Sequence, residues 1–215
     1  MKKIIIPILS IILLVGLISE AFLISAVPAD KDNLEKITFI HYKDGKVKAI
    51  GNNAKPETNT CYKLMGVKWN TPFVNYVINP TNTERLSQSD IITIISTSAE
   101  TWDDATSANL FGTYSINNSA QYGIYDGKNA IVFGEYSGSS NVIAVTSVWY
   151  YRGIGKKTMG QIVEFDMLFN TQFIWGNVDA TPGVMDLQNI ATHELGHSVG
   201  LSDLYNSCIS ETMYG

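Results

Sequence analysis

His193-Glu194-Leu195-Gly196-His197-Ser198-Val199-Gly200-Leu201-Ser202-Asp203 follows the spacing H-E-x-x-H-x-x-G-x-x-D. Residues four apart on a helix lie one above the other, so His193 and His197 can offer two ring nitrogens to a single ion. A catalytic zinc takes three protein ligands and keeps its fourth position open for water. Gly200, three residues after His197, can end the helix through a left-handed cap and turn the chain back, which nominates Asp203 as the third ligand. The census agrees: the chain has 3 histidines, none follows His197, and the remaining one, His41, lies far upstream in a polar segment. The chemistry expected is metal-assisted hydrolysis. Zinc on His193, His197 and Asp203 would polarise a carbonyl and draw the pKa of its water toward about 7. Glu194, on the same helical turn but not a ligand, would take the water's proton and pass it to the leaving group. Chance produces the five-residue core in on the order of one chain of this length in a few hundred, and the fixed glycine and aspartate lower that by roughly two orders of magnitude.

Such a motif needs a helix with defined ends. Asp186 is a good N-cap for a helix from Leu187 to about Val199, with Gly200 as its C-terminal exit. A second helix is expected around Ile91, Ile94, Ile95, Ser98 and Trp102, with Ser89 as its N-cap. Phe73 to Ile78, rich in β-branched and aromatic residues and bounded by Pro72 and Pro80, predicts a strand. Three further apolar runs, Ala130 to Tyr136, Val142 to Tyr151 and Gln161 to Phe169, are separated by turn residues and predict strands of one sheet. Glu164 and Asp166 share one face of the last run. They suit either a solvated face with hydrogen bonds to loops or a calcium site, although no calcium motif is present.

Beyond Asp203 the chain continues to Thr212-Met213-Tyr214-Gly215. The extended zinc motif followed by this methionine resembles the metzincins, and Thr-Met-Tyr-Gly is similar to their matrixin branch. Lys68-Trp69-Asn70-Thr71-Pro72-Phe73 and Trp102-Asp103-Asp104-Ala105 are similar to that family's opening strand and first helix, so the resemblance covers roughly residues 61 to 215. It implies an α+β fold of the metzincin-like zincin type: a mixed twisted sheet, an active-site helix and a second packing helix. It implies that Met213 lies beneath the metal as a packing floor, that Val142 to Tyr151 is an edge strand binding extended peptides antiparallel, and that 161 to 169 is the central strand. The activity implied is that of a zinc endopeptidase. The family continues past the methionine with a pocket wall and a helix, whereas this sequence stops at Gly215, which reads as a truncated catalytic domain or as a pocket built differently.

Composition sets the remaining expectations. The chain has 215 residues, 45% of them hydrophobic, enough for one sizeable core. A net charge of −5 and scattered basic residues give no nucleic-acid footprint. Lys2 and Lys3 before the apolar run Ile4 to Ile18 predict a signal peptide over residues 1 to 27, or an uncleaved anchor using residues 4 to 27. Either places the zinc motif outside the cell, secreted or tethered. Residues 28 to 60 are a polar extension that could be a spacer, an extra pair of strands or a short propeptide. Export favours a disulfide between Cys61 and Cys208; the alternatives are free thiols or a Cys61 thiolate masking the zinc, for which Asn59-Thr60-Cys61-Tyr62 lacks the family's sequence context. The partner expected is a protein or peptide substrate, and a monomer is favoured. The competing reading is a surface or adhesion module that binds zinc and cleaves nothing.

Overall fold

A computed structural model describes residues 33–43, 45, 47–50, 60–81, 86–138, 141–153, 158–205 and 207–215. The expected signal or anchor, residues 1 to 27, lies outside them. No helix among the described residues is long and apolar enough to cross a membrane. The chain runs β1 (Leu34–Tyr42), β2 (Val47–Ile50), β3 (Val67–Trp69), β4 (Val74–Asn79), α1 (Gln88–Asp104), β5 (Phe111–Ile116), β6 (Ala130–Gly134), β7 (Val142–Tyr151), β8 (Gly160–Asn170), β9 (Trp175–Gly176), β10 (Met185–Asp186) and α2 (Leu187–Ser198). The fold is therefore mixed α+β, dominated by one sheet and two helices.

That sheet has 8 strands in the order β2-β1-β7-β8-β6-β4-β5, with β3 alongside β8, and a second sheet pairs β9 with β10. β4, β5, β6 and β8 run parallel to their neighbours, whereas β7 is antiparallel to β8 and β1 antiparallel to β7. Strand β8 is central, buried at nearly every position as its Val, Ile, Phe, Met and Leu content requires. Strand β7, in contrast, is not an edge: β1 covers it along nine paired positions, from Leu34 opposite Tyr151 to Tyr42 opposite Val142. The described part of residues 28 to 60 thus contributes two paired strands to the main sheet, β1 inside it and β2 at its end.

The N-cap of helix α1 lies two residues earlier than expected. It is Ser87, whose hydroxyl accepts from the Asp90 backbone N–H, while Ser89 only meets the Ser87 hydroxyl. Ile91, Ile95, Ser98 and Ala99 form its buried stripe. Both helices join the same core as Ile78, Phe133, Val148, Phe165, Met167 and Phe169 of the sheet. Burying such side chains contributes about 1.5–3 kcal/mol each, which fixes α2 against the sheet.

Glu164 and Asp166 are fully buried, so neither forms a solvated face. They bond to a loop instead: Gly123, Ile124 and Ala130 donate backbone N–H groups to Asp166, and Asp126 and Gly127 donate to Glu164. Their oxygens hold the 123–130 loop in place. Burial raises both carboxyl pKa values against those donors, that of Asp166 to about 7.

Candidate metal centre

Helix α2 is anchored at both ends and along one side. The Asp186 carboxylate accepts from the Asn189 N–H at the N-terminus. At the other end Gly200, at φ 99°, reverses the chain: its N–H donates to His197 O and the Leu201 N–H to Gly196 O, the paired bonds of a Schellman cap. A Cβ on Gly200 would stand 2.7 Å from the Val67 carbonyl oxygen, so both conformation and space require glycine. Three donors from other elements pin the helix carbonyls: Trp102 Nε1 to Thr192, Ser98 Oγ to Gln188 and Trp69 Nε1 to Ser198. A Cβ on Gly196 would overlap Met213 Sδ, so Met213 packs directly against the helix between the two histidines.

After the cap, residues 200–202 run beside the segment that follows Cys61, with Met65 N–H to Gly200 O and Ser202 N–H to Lys63 O. A disulfide joins Cys61 to Cys208 there, with Cα atoms 5.4 Å apart. Asp203 is turned inward and buried. The C-terminal segment closes the other side through Leu204 N–H to Met213 O and Gly215 N–H to Leu204 O.

These elements bring His193, His197 and Asp203 together, and a fourth residue joins them: His41, from β1. His41 Nε2 lies 3.0 Å from His193 Nε2 and 3.2 Å from Asp203 Oδ1. Asp203 Oδ1 is also 3.1 Å from His193 Nε2 and 3.3 Å from His197 Nε2. Glu194 stands outside this ring of donors, wholly buried, with Oε1 2.6 Å from His41 Nδ1 and Oε2 accepting from Thr146 Oγ1 at 2.5 Å.

The tautomers decide what the cluster can hold. His193 Nδ1 lies 2.7 Å from Thr212 O and His197 Nδ1 2.9 Å from Leu201 O. Carbonyls only accept, so both Nδ1 atoms carry a proton, and in the neutral rings both Nε2 atoms present lone pairs. The Nε2 of His197 is buried without a hydrogen-bond partner. Lone pairs and a carboxylate oxygen converging in a buried space repel one another unless a cation sits among them. All four donor atoms lie within 4.8 Å of one another, and the four separations given above, 3.0–3.3 Å, suit donors about 2 Å from a common centre. The four residues could hold a metal ion.

Without an ion, electrostatics would substitute a proton. Burial disfavours charge on His41, but the carboxylates of Glu194 and Asp203 outweigh it and raise its pKa to about 10. Burial likewise opposes ionisation of Glu194 and Asp203, yet the adjoining histidines hold both below the usual carboxylate range. His197, the most enclosed ring, is pushed down by burial.

Sequence reasoning set His41 aside because 152 positions separate it from His193. One signal was available: Ile37, Phe39 and His41 alternate, so a strand there would put the histidine on the same face as two apolar residues. The ring of Phe39 stacks on that of His197 at 3.8 Å between centroids. A cleft of about 460 Å³ opens beside the cluster, between Asn189, Ile190 and His193 on α2 and Ile209, Glu211 and Tyr214 of the C-terminal segment. In comparisons with known proteins, the chain matches no family model and no curated protein.

Proposed function

We propose that the chain is a zinc-dependent endopeptidase of the matrixin-like metzincin type, secreted or tethered to the outer face of a membrane. The observation that carries this reading is Glu194. Beside the four donors a fully buried carboxylate stands on the same helical turn as His193, with one oxygen fixed by Thr146 and the other directed at His41. Burying an ionisable group is costly unless it is used or paired. The three imidazoles and Asp203 are the N and O donor set that zinc accepts.

A zinc ion held by these residues would supply Lewis acidity, polarising a carbonyl and making a water acidic enough to attack near neutral pH. With the His41 ring withdrawn from Oε1, Glu194 would accept the proton of the attacking water at that oxygen and deliver it to the leaving amine. Thr146 holds the other oxygen, so the carboxylate keeps one orientation through both transfers. The Nδ1 bonds of His193 and His197 to carbonyl oxygens fix their rings. The cleft lined by Asn189, Ile190 and Tyr214 receives the residue that flanks the scissile bond.

A second reading has its own observation: four protein donors make a closed site, the arrangement of structural zinc. The test is zinc content together with hydrolysis of a quenched unfolded protein, before and after chelation and zinc return, on the full chain and on His41→Ala. Hydrolysis in either form that disappears with the metal and returns with about one equivalent supports the endopeptidase. One bound zinc with no hydrolysis in either form supports the closed structural site.

A further inference from the structure

We propose that β1 is an intramolecular stand-in for the substrate and His41 a fourth metal ligand, so that the folded chain is a latent form opened by withdrawing the β1–β2 hairpin from β7. This rests on the endopeptidase reading and adds to it how the site is kept silent.

Three features of the structure converge. The first is coordination: a hydrolytic zinc keeps one position open, and the His41 Nε2, 3.0 Å from His193 Nε2, supplies the donor that closes it. The second is the base. The other nitrogen of the same ring meets Glu194 Oε1 at 2.6 Å, so one side chain engages both the metal donors and the carboxylate.

The third feature is the backbone. β7 is held by β8 on one side, and its other side is a template for an extended peptide. β1 fills it antiparallel, with Phe39 opposite Thr146 and His41 opposite Ala144, so the plug is aligned by the strand that also fixes Glu194 through Thr146. The hold is light in side chains. Only Phe39, Ile40 and His41 of β1 are buried, against seven residues of β7. The hairpin also precedes Cys61, so it lies outside the loop closed by the disulfide and can leave without opening that loop.

The experiment uses the full chain loaded with cobalt(II), whose visible absorption reports its ligands, titrated with acetohydroxamate, a small metal-chelating probe. Hydrolysis of an unfolded protein is followed in parallel on the zinc form. The intact chain should leave the spectrum unchanged, and His41→Ala should bind the probe about 10–100-fold more tightly, the scale on which one contact at a metal site changes affinity. Phe39→Ala, which loosens β1 and removes no donor, should move the same way by less. It decides the matter if His41→Ala does not fold. An intact chain that takes up the probe as readily as the variants would overturn the latch, as would variants that stay inert with cobalt bound. Probe binding without hydrolysis in His41→Ala would leave His41 as the closing ligand and remove the endopeptidase.

Discussion

Gly196→Ala isolates the packing that supports the metal donors. The new Cβ would overlap Met213 Sδ and stand 2.7 Å from Trp102 Cζ2. The methionine could swing aside, but it is buried and its carbonyl is tied to the Leu204 N–H. Trp102 cannot yield easily, because its Nε1 donates to Thr192 O at 2.7 Å. Overpacking of this kind costs about 1–3 kcal/mol. Replacing glycine by alanine inside a helix returns about 1 kcal/mol. The net expectation is a loss of up to about 2 kcal/mol, together with weaker metal binding as α2 is pushed off its floor. Urea denaturation of the metal-free, disulfide-intact chain measures the first, and competition with a chromogenic chelator the second. Shortening the obstacle should relieve part of the clash, so Gly196→Ala and Met213→Ala should couple by about 1 kcal/mol in a double-mutant cycle. A stabilised Gly196→Ala with additive behaviour would refute the contact and leave only helix propensity.

Other consequences are measurable. The Cys61–Cys208 disulfide spans 147 positions, and the chain-entropy relation gives about 5 kcal/mol for a loop of that length; replacing both cysteines by serine should lower the denaturation midpoint accordingly, and a change below about 1 kcal/mol would show that the denatured state is not being constrained. Trp69→Phe keeps an aromatic side chain but removes the donor to Ser198 O and part of the ring, so at least about 1 kcal/mol should be lost at the helix exit that delivers Asp203; unchanged stability would contradict that role. Burial raises the Asp166 pKa from 3.8 to about 7. A raised folded pKa means that its stabilising contribution is complete below about 4 and is lost as pH climbs through 7. Asp166→Asn should flatten the fall in unfolding free energy over that window, and an unaltered pH profile would show that Asp166 is not its source.

The sequence was most legible where local rules decide. Asp186, the helical spacing of His193 and His197, and Gly200 act within one turn of their neighbours, and the runs that became β6, β7 and β8 carry their strand preference in their own side chains. The first helix was found and its cap misplaced by two residues, because Ser87 and Ser89 are chemically alike and only the Asp90 N–H distinguishes them. The neighbour of β7 was not legible. Ile37 to Ile40 is a short apolar run in a polar stretch, and which strand it joins depends on a pairing more than 100 residues away. That one unread pairing concealed both the covered edge of β7 and the fourth donor, His41.

The most direct test of the central claim compares His41→Ala with His41→Ala/Glu194→Gln, each carrying measured zinc, on the same unfolded substrate. The account predicts about one zinc per chain in both, hydrolysis in the first, and a loss of at least about 100-fold in the second. Equal hydrolysis at equal zinc would contradict the role of Glu194, and an absence of zinc from both would contradict the metal centre itself.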